Sequence, residues 1–322
     1  MLGPHTSLAS VLLVAALITP GLEPASGGSM GIVFSEDLTE VRNETSGPAP
    51  SDQLATPADR NWHAFWDKHI GQWHGRWTRY TPAGSVMESF RSTRDFQADP
   101  SLTYIQQVNR YRYDDGRAVD ERWSYNRADH SKADGFLHPA SLVMRGLAFR
   151  DGAAAWLVPS LDPGAAVPVE LFLMDGHLRH SVGVVYGKDR QLIRTASIRE
   201  DQRGYPGDHW SEQTAQVTPW QLTGPWVGVT ETMGPDLSSS TQRTSQITWP
   251  SPPNREVYFP DQIVLSCPER LPLHQPFSVA VRWLSADGRL QIIRADYDSG
   301  ASLIQLQHQV LRQAPRQGAS SG

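Results

Sequence analysis

Short segments of alternating apolar and polar residues, separated by turn signals, occupy most of the chain after residue 71. Turn signals of the Asp-Gly or Pro/Gly type occur at 82–84, 114–116, 134–135, 151–152, 175–176 and 187–189. Such turns between β-rich segments are typical of antiparallel hairpins. None of the segments between them carries a convincing helical face, which argues against crossover helices and a parallel sheet. The pattern therefore predicts an all-β, antiparallel fold.

One short helix is predicted ahead of the strands. Trp62, Phe65, Trp66 and Ile70 recur at spacings of three and four, and Asn61 is a suitable N-cap. The preceding residues, 31–60, are rich in Ser, Gly, Pro and acidic residues and are expected to form a flexible leader.

Residues 1–30 are expected to be a signal peptide or an upstream extension. The apolar run from Leu8 to Leu22 has the length of a signal-peptide core and is short for a membrane span. No Lys or Arg precedes it, and Met30 is an alternative start of translation. A cytoplasmic location and an exported or thylakoid-associated one therefore both stay open.

An internal repeat divides the ordered part of the chain. Gly71-Gln-Trp73-His-Gly75 has the same Gly-x-Trp-x-Gly spacing as 224–228 (Gly-Pro-Trp-Val-Gly), and residues 178–193 align with 290–304 after a one-residue slip. Matching beginnings and ends in the same order indicate a duplicated unit. We expect a first barrel at 61–200, a linker at 201–219, a smaller second barrel at 220–312 and a disordered tail at 313–322.

A Gly-x-Trp motif at the start of an antiparallel meander resembles the lipocalins and their calycin relatives. The resemblance implies two tandem lipocalin-like β-barrels, each sealed at its closed end by the Trp of its motif. The implied floor residues are Gly71, Trp73, Gly75, Gly224, Trp226 and Gly228.

Residues 61–312 are more closely similar to a lipocalin-like family of unknown function from cyanobacteria and plastid lineages. The similarity lies in 62–84, 192–200 and 258–311. The phycobiliprotein lyases, which have a single barrel and carry a linear bilin to a cysteine of a client protein, resemble the chain at the level of fold only. Because fold does not imply function, none of their residues is carried over.

Composition excludes several classes of function. With 29 basic and 34 acidic residues the net charge is -5, and no basic run is interleaved with aromatic residues, so nucleic acid is not an expected partner. Cys267 is the only cysteine, which excludes an intrachain disulfide; its apolar surroundings predict a buried small side chain.

Aromatic and basic residues on the predicted strands of the first barrel are the candidate ligand contacts. In a barrel, core and ligand wall are the same surface, and an Arg can stack on the sealing Trp or bind an acidic head group. Core packing or an exposed sheet face is the structural alternative for each. The candidates are Trp73, His74, Tyr104, Tyr111, Tyr113, Trp123, Arg179 and Arg194.

No catalytic or metal-binding motif is found in the sequence. His63, His69 and His74 are spaced six and five apart, which fits no helical pair of metal ligands. A nucleophile elbow and a phosphate loop are also missing from the sequence. The carboxylate pairs Asp114–Asp115 and Asp120–Glu121 are adjacent and lie in or beside predicted turns, which does not support general acid/base catalysis.

The sequence therefore favours a non-enzymatic carrier of an apolar small molecule, with binding concentrated in the first barrel. The ligand classes considered are a tetrapyrrole, a carotenoid or another lipid. Two alternatives stay open. One is a lipocalin-fold bilin lyase or isomerase, and the other is a scaffold or assembly factor with filled barrels and a protein client.

Overall fold

The computed structural model describes residues 56–250 and 253–315. It confirms the predicted fold class, since a helix near the N-terminus is followed by two sheets of antiparallel strands. The proposed signal peptide at 1–30 and most of the expected leader and tail lie outside the described residues. Within the described ranges, no helix is long and apolar enough to cross a membrane.

Helix α1 spans Pro57–His69 and begins five residues before the predicted start. Its N-cap is Thr56, whose side chain accepts a 3.1 Å hydrogen bond from the backbone N–H of Asp59. The prediction that Asn61 caps the helix is wrong, because a Thr followed by a Pro is itself a strong start signal. Asn61 lies within the helix and is buried. Residues 57–60, which were expected to belong to the leader, are helical.

The first sheet has eleven strands and is barrel-like. Its strands are β1 Gly71–Tyr80, β2 Val86–Ala98, β3 Tyr104–Tyr113, β4 Ala118–Asn126, β5 Ser131–Lys132, β6 Gly135–His138, β7 Ser141–Ala148, β8 Ala154–Leu157, β9 Val167–Asp175, β10 Leu178–Tyr186 and β11 Leu192–Asp201. Strand β1 pairs with both β2 and β11, which brings the two ends of this region together. The edge strands β4 and β5 are not paired with each other and are joined by the short helix α2, Arg127–His130.

The second sheet has seven strands in the order β13-β12-β18-β17-β16-β15-β14. They are β12 Trp226–Met233, β13 Ser239–Thr244, β14 Arg255–Phe259, β15 Ile263–Cys267, β16 Phe277–Leu284, β17 Leu290–Tyr297 and β18 Leu303–Gln313. As in the first sheet, the strand that follows the Gly-x-Trp motif pairs with the last strand, here β18.

The last glycine of each motif occupies an equivalent position in its sheet. A Cβ added to Gly75 would lie 2.5 Å from the carbonyl oxygen of Arg199 on β11, and one added to Gly228 would lie 2.0 Å from that of Val310 on β18. Both distances are too short for any real side chain. The repeated glycine is therefore required at this position, where the strand after the motif pairs with the last strand of its sheet.

The two sheets share one hydrophobic core. Leu171 and Val182 from the first sheet belong to the same buried cluster as Val281 and Ile293 from the second. The second sheet thus buries an apolar face against the first. Cys267 is fully buried in this cluster, as predicted, and burial raises the pKa of its thiol to about 12.

The strand-free segment 202–225 connects the sheets and also packs between them. Its Trp210 is buried, donates its indole N–H to the carbonyl oxygen of Glu200 at 2.9 Å, and lies 5.3 Å between ring centroids from Trp283.

Candidate functional site

Helix α1 packs its aromatic face into the first sheet. Phe65 contacts Phe136 and Trp156 edge to face, with centroid separations of 5.1 and 5.8 Å. Trp66 contacts Tyr125 at 4.8 Å. The predicted spacing of apolar residues along this helix therefore places large rings in the interior of the barrel.

Beside these rings lies a buried cluster of opposite charges, formed by Arg94, Arg179, Glu170 and Glu200. Arg94 binds both oxygens of Glu200, from Nε at 2.6 Å and from Nη2 at 2.5 Å, and its Nη1 lies 3.3 Å from Oε1 of Glu170. Nε of Arg179 donates to Oε2 of Glu200 at 2.8 Å. Each of the four side chains is 10% exposed or less.

The cluster holds Arg94, Arg179 and Glu200 in the charged state. Burial alone would raise the pKa of Glu200, but the two guanidinium groups outweigh it and bring the pKa to about 2. Burial lowers the pKa of Arg179 to about 10, which still leaves the side chain protonated at neutral pH. The paired carboxylates offset burial at Arg94 and raise its pKa above the ordinary value.

Arg179 has one nitrogen without a partner. Its Nη1 lies 3.0 Å from Nδ1 of His69, and its guanidinium carbon lies 4.2 Å from the ring centroid of Trp73. Nη2 is buried and makes no hydrogen bond. Because a guanidinium only donates, Nδ1 of His69 accepts, and Nε2–H of His69 donates to the carbonyl oxygen of Gly152 at 3.1 Å. Burial and Arg179 hold the pKa of His69 well below its usual value, so this imidazole is neutral.

A chain of hydrogen bonds runs beside the charged cluster. The backbone N–H of Ala140 donates to Nδ1 of His138, and burial lowers the pKa of His138 to about 3, so Nε2 carries the proton. From that proton the chain continues in one direction through Tyr125 (3.3 Å), Gln107 (2.7 Å), Asn109 (3.0 Å) and the hydroxyl of Tyr111 (2.9 Å).

Beside the charged cluster and this chain lies a cavity of about 30 Å³. Its polar lining consists of Arg94, Arg179 and Glu170 from the cluster and of Gln107, Asn109 and Tyr111 from the chain. Aromatic rings and Met144 complete the wall. A volume of this size holds one or two water molecules.

The structure brings only some of the predicted ligand contacts to this cavity. Tyr111 and Arg179 line it, and Trp73 stacks on Arg179. Trp73 is fully buried and donates its indole N–H to the carbonyl oxygen of His69 at 2.9 Å. Trp123 is half-buried, with its ring centroid 5.8 Å from that of His138.

The other four candidates lie away from the cavity. His74 alternates with Trp73 on β1 and is half-buried, while Tyr104 is 41% exposed. Tyr113 packs with Phe90 in a separate cluster. Arg194 is buried, and burial together with Arg79 lowers its pKa to about 9.

The charged site residues Arg94, Glu170 and Glu200 were not identified from the sequence. Two of them had a signal there. Arg94 alternates in phase with the apolar Phe90 and Phe96, and Glu170 interrupts the apolar run 167–174. A charged residue at an inward position of a strand pattern must have a buried partner. Within residues 56–250 and 253–315, no group of three or more His, Cys, Asp or Glu side chains is arranged to hold a metal ion.

The Trp of the second motif is also buried, but in different surroundings. Trp226 packs with Leu290, Ile292 and Leu311, and its indole N–H has no hydrogen-bond partner. The segment after β13 crosses this region, where the backbone N–H of Thr248 donates to Oε1 of Gln309 on β18 at 2.8 Å.

Comparison with known proteins agrees with the sequence resemblance. Residues 58–205 match the family described as "Domain of unknown function (DUF3598), N-terminal". The crystal structure of a DUF3598-family protein of unknown function from Nostoc punctiforme aligns over 79% of this chain and 99% of its own, with a TM-score of 0.59 and 16% identity. This likeness extends the shared fold to both sheets, and the resemblance to a cyanobacterial family of unknown function is confirmed.

The S-type phycobiliprotein lyase CPES from Guillardia theta is a more distant structural neighbour. It aligns over 45% of this chain and 93% of its own, with a TM-score of 0.31 and 12% identity. No curated protein sequence matches the chain significantly.

Proposed function

We propose that this protein binds a small molecule in the interior of the first sheet, and that the ligand is an apolar molecule with an acidic head group. The observation that carries the proposal is the buried, unpartnered Nη2 of Arg179 on the cavity wall. The protein acts as a carrier in this proposal, because no nucleophile or general base is required of the site.

The acidic head group of the ligand is inferred from the hydrogen-bond donor that has no partner, Nη2 of Arg179. Glu200 already accepts from Arg94 and Arg179, so its oxygens are occupied. A buried N–H without a partner costs about 1–3 kcal/mol. A carboxylate oxygen placed against Nη2 would remove that cost and form a charge-assisted hydrogen bond, which is stronger than a neutral one.

The apolar body follows from the rest of the lining. Phe96, Trp156 and Phe172 present rings to the cavity, and Met144 presents a flexible thioether. Such walls suit an aliphatic or conjugated chain and offer it no directional bonds. Lipid-like and pigment-like acids both satisfy this chemistry.

The cavity must enlarge to admit such a ligand, and the fold provides a place for this. Strands β4 and β5 are the edges of the first sheet and are not hydrogen-bonded to each other. Separation of these edges widens the barrel without breaking a strand ladder. Met144, on β7 at the cavity wall, can change rotamer at small cost.

A filled barrel that serves as a scaffold is the second candidate. The observation that favours it is the cavity volume of about 30 Å³, which is far below the roughly 300 Å³ of a typical ligand pocket. In this case the charged cluster would only stabilise the fold, and the protein would act through its surface.

Octanoate and 1-octanol, which share an apolar chain and differ in the acid, separate these candidates. We expect octanoate to bind at least tenfold more tightly by titration calorimetry, and Arg179→Gln to abolish the difference. Arg199→Gln is the matched control, since Arg199 is equally buried but bonds Asp261 and the backbone of the connecting segment. If neither compound binds to the folded protein at millimolar concentration, the scaffold function is favoured.

A further inference from the structure

A buried carboxylate oxygen in the first sheet lacks a partner. Oε2 of Glu121, on β4, is shielded from solvent and makes no hydrogen bond. In the strand register, Arg94 pairs with Asn109, and Asn109 pairs with Glu121. Cross-strand partners share a face of a sheet, so Glu121 lies on the same interior face as the cavity-lining Arg94 and Asn109.

The hydrogen-bond chain of the cavity wall leads to this carboxylate. Nδ2 of Asn109 donates to the hydroxyl of Tyr111, which leaves the Tyr111 proton free to donate onward. That hydroxyl interacts with the carboxyl group of Glu121. Glu121 is therefore the final acceptor of a chain in which every group donates in the same direction, and its Oε2 makes no hydrogen bond.

No cation neutralises Glu121 within hydrogen-bond distance among the described residues. The charged and titratable groups that act on it are Tyr111 and Tyr113 on β3 and Arg79 on β1. Arg79 is already bonded to Glu88. Burial outweighs Tyr111 and Arg79 and raises the pKa of Glu121 to about 7. A buried, ionised carboxylate lowers the stability of the fold unless a hydrogen-bond donor contacts it.

We propose that Glu121 is a second ligand-binding group, which accepts a hydrogen bond from an N–H group of the same molecule whose acidic group binds Arg179. This inference rests on the proposed function and narrows its ligand class. The ligand carries an acid at one end, an apolar body, and an amine or other N–H donor at a distance from the acid.

Arg94 gives the scale of that distance, because its guanidinium shares Oε2 of Glu200 with that of Arg179. Two strand spacings separate Arg94 from Glu121, which corresponds to about 10 Å between their Cα atoms. A ligand whose acid and N–H donor are separated by a chain of several carbons would span the two groups. A single polar head group would reach only one of them.

Octanoate and 8-aminooctanoate form the test pair, since they differ only in the terminal amine. With the full-length protein at pH 8, we expect 8-aminooctanoate to bind at least tenfold more tightly than octanoate. Glu121→Gln is expected to abolish that preference and to leave octanoate affinity unchanged. Glu88→Gln is the matched control, because Glu88 is an interior-facing carboxylate already bonded to Arg79.

The pH dependence gives an independent readout. The wild-type preference for 8-aminooctanoate should fall as the pH decreases from 8 to 6, since protonation of Glu121 removes the acceptor charge, and the Glu121→Gln variant should show no such change. Equal affinity for the two compounds in the wild-type protein would overturn the role of Glu121 and leave the carrier function standing. If neither compound binds, the carrier function fails together with this inference.

Discussion

The guanidinium carbon of Arg179 lies 4.2 Å from the centroid of the Trp73 indole ring. This contact joins the Gly-x-Trp motif at the start of β1 to the charged wall of the cavity. Since Arg179 also binds Glu200 and His69, the indole ring supports a cation that three elements of the first sheet and α1 hold in place.

Replacement of Trp73 should therefore destabilise the protein strongly. Trp73→Ala is expected to lower the free energy of unfolding by about 3–5 kcal/mol, the usual loss for a buried aromatic ring. Urea denaturation followed by circular dichroism measures it. Trp123→Ala, which removes a half-buried ring, is the comparison and should cost less. A loss below about 1 kcal/mol for Trp73 would show that the ring does not support the barrel.

The carbonyl oxygens close to Gly75 and Gly228 predict that a side chain at either position destabilises the protein to a similar extent. Gly75→Ala and Gly228→Ala should each destabilise by about 1–3 kcal/mol, because the added methyl group would overlap a carbonyl oxygen of the last strand. Gly300→Ala is the control, since its nearest neighbour is a side-chain oxygen at 3.2 Å. Thermal unfolding of the three variants checks this, and equal midpoints would contradict it.

The charged cluster predicts acid sensitivity. Because the folded pKa of Glu200 lies near 2, below its ordinary value of 4.5, this group stabilises the fold above pH 4.5. That contribution is lost as the pH falls from about 4.5 toward 2. Glu200→Gln should cost about 3–5 kcal/mol at pH 7, because it leaves two guanidinium groups without their shared carboxylate.

Urea denaturation of wild type and Glu200→Gln from pH 7 to pH 3 measures this effect. The gap between the two proteins should narrow on acidification. A gap that stays constant over this range would show that Glu200 is not held ionised by the cluster.

Glu121 predicts the opposite dependence on pH. Its folded pKa of about 7 lies above the ordinary 4.5, so the folded state loses stability as the pH rises through this interval. Glu121→Gln should therefore be more stable than wild type at pH 8, by about 1–3 kcal/mol, and equal to it at pH 4. Thermal unfolding at both pH values tests the prediction. A variant less stable than wild type at pH 8 would contradict it.

The residues of the cavity show why the sequence identified only part of the site. Arg179 was found because an Arg on a predicted closing strand can stack on the sealing Trp. Glu200, on the strand that pairs with it, was read only as the end of a family-like segment. A buried carboxylate and an exposed one look alike in sequence until the strand that covers them is known.

The local pattern by itself determined the antiparallel hairpins, the aromatic face of α1 and the two Gly-x-Trp motifs, because strand alternation, helical period and turn chemistry depend on near neighbours. The N-cap was assigned wrongly since two start signals, at Thr56 and Asn61, lie close together. Tertiary structure alone decided that Arg94, Glu170, Arg179 and Glu200 meet, and that Glu121 lies on the same interior face. These contacts join four different pairs of strands. Their energy depends on burial and on the charge of the partner, which a local stretch of sequence does not contain.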